Sequence, residues 1–144
     1  MFMDEAIIQA KKAEAHGDVP IGAVIILEDQ IIASAGNEVV LNDDPTAHAE
    51  LLALRRAAQK LGTARLPDCD LYVTLEPCPM CAQALSFARI RRLYFGAYDP
   101  KGGGVDHGPR IFTQKTTHHK PEVYGGIQEK ECGDLLKEFF KNKR

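Results

Sequence analysis

At 144 residues the chain is sized for one domain, taken as 1–144, and its 44% hydrophobic and 26% charged residues are those of a globular protein rather than a disordered one. No apolar run reaches the ~18 residues of a membrane span, the acidic start Met1-Phe2-Met3-Asp4-Glu5 lacks a signal peptide's basic opening, and four cysteines, two of them in a Cys-x-x-Cys, fit a reducing cytoplasm better than a disulfide scaffold. The net charge of −2 argues against bulk attraction to nucleic acid, yet residues 86–120 carry seven Lys/Arg against two acids, with His107, His118 and His119 among them, a local excess that fits either an RNA footprint or a solvated face.

Residues 3–16 place Ala6, Ile7, Ala10 and Ala13 at helical spacing, and Gly17 ends this first helix. Two short apolar runs follow, 21–27 and 30–35, with Glu28-Asp29 between them as a tight hairpin turn. Residues 37–44 read as a polar connection. Asp44 is the expected N-cap and Pro45 the first residue of a helix reaching Gly62, with Leu51, Leu52, Leu54 and Ala58 turned to a core. A third strand is expected at 71–75, a helix from Pro77 to about Ala88, and a fourth strand at 93–97. Strands two, three and four alternate with helices, which implies an α/β fold with those strands paired in parallel through right-handed crossovers. Residues 99–117 have no period and include Gly102-Gly103-Gly104; ordered loops of this length usually carry function. Val123-Tyr124 is a candidate fifth strand, and residues 129–143 form a terminal helix bearing Leu135, Leu136, Phe139 and Phe140.

The chemistry concentrates in Pro45-Thr46-Ala47-His48-Ala49-Glu50 and Glu76-Pro77-Cys78-Pro79-Met80-Cys81. Zinc takes nitrogen and sulfur ligands in tetrahedral geometry, and a set of three leaves the fourth position for water, the catalytic arrangement. His48, Cys78 and Cys81 supply such a set for one zinc ion, and Glu50 stands two residues from a ligand, placed to handle the water's protons. On a helix, two residues span roughly 200°, so His48 and Glu50 share a site only where a helix tip points at it. Cys78 and Cys81, three apart, share a helix face. Two helix N-termini should therefore converge on the metal, their positive ends favouring thiolates. A lone Cys-x-x-Cys is equally a redox motif; its pairing with His-x-Glu, each opening a helix, points to catalysis. Cys69 precedes strand three and falls at the opposite edge; it and Cys132 read as buried free thiols. In open α/β sheets ligands bind past the carboxyl ends of strands. Asn37, Glu76-Pro77-Cys78 and Asp99 all lie there. Asn37 is either a substrate contact or a turn residue, and Asp99 either a substrate contact or a loop hydrogen-bonder. Phe139 and Phe140 diverge on a helix, so one belongs to the core and the other to an interface or a platform for a base.

At these residues the sequence resembles the zinc-dependent nucleoside deaminases, with their His-x-Glu and Pro-Cys-x-x-Cys signature. The fuller strings Thr74-Leu75-Glu76-Pro77-Cys78-Pro79-Met80-Cys81, Phe95-Gly96-Ala97 and Val19-Pro20-Ile21-Gly22-Ala23-Val24 are similar to bacterial tRNA-specific adenosine deaminases of the TadA type. The resemblance implies a three-layer αβα sandwich with a mixed five-stranded sheet, cytidine deaminase-like, and a homodimer. It implies a cytoplasmic enzyme that converts the wobble adenosine of an arginine tRNA to inosine by zinc-activated water, with Glu50 as proton shuttle. The partner is the tRNA anticodon stem-loop, and neither membrane nor DNA is expected. Asn37, Asp99 and Phe140 are the substrate-binding candidates. Arg110, His119, Lys141, Lys143 and Arg144 are the RNA-contact candidates. Residues 98–124 depart from the family pattern, with Tyr98 at a commonly basic position. The competing reading is a free-base guanine or cytosine deaminase with the same zinc site; the basic segment and the Phe-Phe-Lys-Asn-Lys-Arg end argue against it.

Overall fold

The computed structural model describes residues 1–142. In chain order it contains α1 (Phe2–Ala15), β1 (Gly22–Leu27), β2 (Gln30–Gly36), α2 (Val39–Asn42), α3 (Ala49–Leu61), β3 (Cys69–Leu75), α4 (Pro79–Phe87), β4 (Arg92–Ala97), a 3-10 turn (Ile111–Thr113), β5 (Glu122–Tyr124) and α5 (Glu129–Lys141). The five strands form one mixed sheet in the order β2-β1-β3-β4-β5. Among the described residues no helix is long and apolar enough to cross a membrane.

Glu28 and Asp29 adopt φ of 51° and 61°. Positive φ at both central residues is the hairpin turn whose twist matches the flanking strands, and it locks β1 antiparallel to β2. The other side of β1 pairs antiparallel with β3, while β3–β4 and β4–β5 are parallel. The expected parallel pairing of strands two and three is therefore corrected. β2 and β3 point the same way, but the hairpin leaves β1 between them, and α3 passes over β1 as well. β1 reads as a continuous apolar run because both its faces are covered. Ala23 and Ile25 enter the core beneath α3 and α4; Val24 and Ile26 enter the core beneath α1 and α5. These two cores are what make the three layers. α1 lies close on the sheet because Ala6, Ala10 and Ala13 are small. Gly22 completes that approach, since a Cβ there would fall 1.9 Å from the Ala6 carbonyl oxygen.

Two local departures matter for the site. The polar connection contains α2, whose Val40 and Leu41 N–H groups donate to the buried Asp18 carboxylate at 2.8 and 3.3 Å. And α3 begins at Ala49, not Pro45. The Asp44 carboxylate closes a turn on the Thr46 N–H and hydroxyl, at 2.9 and 2.7 Å, instead of capping a helix. At the sheet's margins, the Arg56 guanidinium donates to the Ser34 carbonyl of β2 at 2.8 Å and to Glu38 at 2.9 Å. β5 is three residues long and places Glu122 beside Arg92.

Gly96 in β4 sets how closely α5 packs: an added Cβ would meet Cys132 Sγ at 2.4 Å and the Thr74 carbonyl oxygen at 2.7 Å. Overpacking of a filled core typically costs ~1–3 kcal/mol. Gly96→Ala should therefore lower the denaturation midpoint by a corresponding amount in a urea titration; an unchanged midpoint contradicts this packing.

Candidate metal centre and active site

His48 is the N-cap residue of α3 and Cys78 that of α4, both with extended backbone, φ −75° ψ 150° and φ −70° ψ 169°. Pro79 opens α4, its fixed φ suited to a first helical position where no N–H is needed. Cys81 lies in the same first turn. The two helix tips meet as the sequence predicts, and His48 Nδ1 stands 3.6 Å from both Cys78 Sγ and Cys81 Sγ. The three donor atoms all lie within 4.8 Å of one another, a group that could hold a metal ion. One imidazole and two thiols are a donor set suited to zinc, and three ligands leave a position for water or substrate. Cys69 opens β3 at the far edge and Cys132 packs against Gly96; both are buried free thiols, as expected.

With His48 outside the helix, its two-residue spacing from Glu50 no longer has to be spanned around a helical cylinder. Glu50 occupies the first turn of α3 with only 4% of its surface exposed. Burial pushes its carboxyl up to about 7, and the charge of Cys78 adds to the rise. A buried carboxyl titrating near neutrality can both take and return a proton. The two thiols divide one proton between them. Hydrogen bonding from Cys81, helped by the His48 ring, pulls Cys78 down to about 4 against the cost of burial, while Cys81, the partner that keeps the hydrogen, is raised. The bond to Cys78 raises His48.

Asn37, buried just past β2, accepts the Ala49 N–H on Oδ1 at 2.9 Å and so caps α3 from twelve residues upstream. Its backbone carbonyl pairs with His16 Nε2 at 2.9 Å, and that ring lies 3.1 Å from Asp18. The Ala49 bond fixes the side-chain amide orientation and leaves Nδ2 without a hydrogen bond among the described residues. Asp99, past β4, turns its carboxylate on its own loop, accepting from Lys101 and Gly102 N–H at 3.2 and 2.9 Å. Of the two readings of Asp99, loop hydrogen-bonding is the one its contacts display.

The residue that sequence reasoning missed is Glu76. It directly precedes Pro77-Cys78, yet its side chain is buried and gathers backbone N–H groups from Asp99, Val105, Asp106 and His107. Burial works against its charge, but these donors and the His107 ring hold the carboxyl below the usual carboxylate range. The signal available was an acid ending an apolar strand, with a triple glycine and a histidine in the loop that follows.

The RNA-contact candidates scatter. Arg110 is exposed, in a left-handed conformation (φ 44°) on the loop that Glu76 gathers. Phe139 is buried and Phe140 is 55% exposed, ring edge to ring face at 5.2 Å, so one belongs to the core and the other does not. Lys141 ends α5, and Lys143 and Arg144 lie outside the described residues. His119 sits elsewhere: its Nε2 bonds the Ile90 carbonyl at 2.7 Å and its backbone pairs with Ser86, at the end of α4 and the start of β4, the sheet edge opposite the His48 group. The structure does not bring it to the site.

Across residues 1–144 the chain matches the MafB19-like deaminase family. It is 54% identical over 143 residues to the tRNA-specific adenosine deaminase of Agrobacterium fabrum (strain C58), covering 99% of this chain and 94% of that protein. It superposes on a solved structure from work on A-to-I editing by tRNA:A34 deaminases at the wobble position with a TM-score of 0.92 and 54% identity, over 94% of this chain and 98% of that one. The guanine deaminase of Bacillus subtilis is more distant, with a TM-score of 0.66 and 30% identity over 98% of this chain and 92% of that one.

Purified protein should carry about one metal ion per chain by elemental analysis, as a three-ligand site requires. Cys78→Ala should lose most of it, and Glu50→Ala should keep it. Metal retained in full by Cys78→Ala, or lost from Glu50→Ala, would reassign the ligands.

Proposed function

Because the chain belongs to the MafB19-like deaminases and, within them, to the tRNA-specific adenosine deaminases, we propose that it hydrolyses the wobble adenosine, A34, of an arginine tRNA to inosine, using one zinc ion held by His48, Cys78 and Cys81. The identity to a tRNA-specific adenosine deaminase over nearly the whole chain carries this assignment, and a buried Glu50 beside a nitrogen–sulfur–sulfur donor set agrees with it. Zinc in that set supplies the Lewis acidity that makes water a nucleophile at neutral pH. The remaining steps fall to the chain's own groups. Glu50 accepts a proton from the attacking water and delivers it to a ring nitrogen as C6 is attacked. It then carries the second proton to the departing amine, so adenosine and water leave as inosine and ammonia. Asn37, oriented by the Ala49 N–H, has its Nδ2 available to donate to the nucleoside.

A duplex hides C6, whereas an anticodon loop presents an unstacked base at low cost. Arg110, Lys141, Lys143 and Arg144 are then phosphate contacts, Phe140 a stacking surface, and the cytoplasm the compartment where this substrate is met. A second copy of the chain is proposed to cover the α4 face that leaves Phe87 70% and Met80 37% exposed. The more distant likeness to a guanine deaminase supports the free-base alternative less.

Inosine should appear in a tRNA carrying adenosine at the wobble position, while free adenine, guanine, cytosine and adenosine at matched concentration should release no ammonia. Faster ammonia release from guanine or cytosine would replace the tRNA reading with the free-base one. Glu50→Ala should lose on the order of 10³-fold in rate, within the usual 10²–10⁴ of general acid–base catalysis. In sedimentation equilibrium, Phe87→Glu should shift the protein toward monomer; an unshifted dimer moves the interface off α4.

A further inference from the structure

Residues 98–110 show no sequence periodicity, yet they are ordered around one side chain. Glu76 is 1% exposed. Its Oε2 accepts N–H from Val105, Asp106 and His107 at 3.2, 3.0 and 3.1 Å, and its Oε1 accepts the Asp99 N–H at 3.0 Å. Three successive backbone N–H groups converging on one oxygen form an anion-binding concavity, here filled by the protein's own carboxylate. The loop is also pressed against the segment that carries Cys78. The Gly104 N–H donates to the Pro77 carbonyl at 2.8 Å. A Cβ on Gly103 would fall 2.4 Å from Glu76 Oε2, and one on Gly104 would fall 2.6 Å from the Pro79 nitrogen. Only glycine permits this approach to the residues on either side of Cys78.

The fifth donor is a different matter. His107 Nδ1 lies 2.8 Å from Glu76 Oε1. Four backbone donors already hold the loop, so the imidazole adds little to the clamp. The clamp does orient the imidazole. With Nδ1–H donating to the carboxylate, Nε2 faces away, and the side chain stays 34% exposed. The ring edge rests on Tyr98, centroids 6.1 Å apart at 76°. The next residues form a tight turn in which the Arg110 N–H donates to the His107 carbonyl at 3.2 Å, with Gly108 at φ 57° and Arg110 at φ 44°. One turn thus carries an oriented aromatic ring and an exposed guanidinium with no side-chain partner among the described residues. RNA-binding proteins read unpaired bases with such rings and hold phosphates with such cations.

We propose that Glu76 is a positioning residue that holds His107 at the rim of the site as a contact for an RNA base flanking the reacting adenosine, with Arg110 on the adjoining phosphate. The proposal rests on the tRNA reading of the site. Base–aromatic stacking is worth ~1–3 kcal/mol per base by substitution, a change of roughly 5- to 150-fold in Kd.

The test uses the full chain with an anticodon stem-loop RNA. His107→Asn keeps an amide donor for Glu76 but removes the ring. Assayed for binding alone in the Glu50→Ala background, it should weaken the RNA complex by roughly 5- to 150-fold, with metal content and melting temperature held. With Glu50 intact, the loss should fall more on KM than on kcat. Arg110→Ala should flatten the salt dependence by nearly one unit of slope. Glu76→Gln should weaken RNA binding similarly and speed hydrogen exchange at the amides of residues 105–107. RNA binding by His107→Asn equal to the parent overturns the proposal, as does Glu76→Gln with altered loop exchange and unaltered affinity. Failure of the unmodified protein to deaminate the RNA at all overturns the tRNA reading itself, an outcome separate from either of these.

Discussion

Two helices must meet tip to tip at one edge of the sheet, and most of the structure serves that encounter. An N-terminus offers unpaired N–H groups and the positive end of the helix dipole, an environment in which a thiol ionises readily. The imidazole and the two thiols sit at or within one turn of these ends, so the backbone itself prepares the donor set. Asn37 holds one tip in place through Ala49, and the His16–Asp18 pair stands behind Asn37. Gly104 and Pro77 hold the other. The strand order brings both tips to one edge, because β2, β3 and β4 all end there.

Burial is used in opposite ways on two acids of this region. Glu50 is enclosed with few compensating donors, so desolvation dominates and its proton is held near neutrality. Glu76 is enclosed just as fully, but N–H groups surround it and keep it charged. One carboxyl is prepared to exchange protons and the other to stay an anion around which backbone folds. The two roles follow from what faces each group.

Much of this was legible in the chain. Short apolar runs and helical spacing marked every strand and every long helix, and the His-x-Glu and Cys-x-x-Cys spacings picked out the group that the fold brings within 4.8 Å. The errors were of two physical kinds. Local rules do not choose among partners: alternation of strand and helix suggested β2 beside β3, while the Glu28-Asp29 turn had already committed β2 to β1. A good capping residue does not oblige a helix to start: Asp44 spent its carboxylate on Thr46, and a distant amide, Asn37, capped α3 instead. Glu76 and the loop it gathers were opaque because their contacts span 23 to 31 residues and leave no periodic trace. His119 lies away from the His48 group, because membership of a basic segment says nothing about which end of a helix a residue reaches.

The sheet's two open margins bear on what this chain can add to itself. An exposed strand edge is a template on which another chain can add a strand, the route to runaway aggregation. β5 offers three residues, too short a ladder, and sets a Glu122–Arg92 pair along it. At the other margin Arg56 reaches over from α3 and occupies a β2 carbonyl. Strand addition is discouraged at both ends, so any association of copies would fall to helical surfaces, where it can close on a fixed number of copies instead of growing without limit.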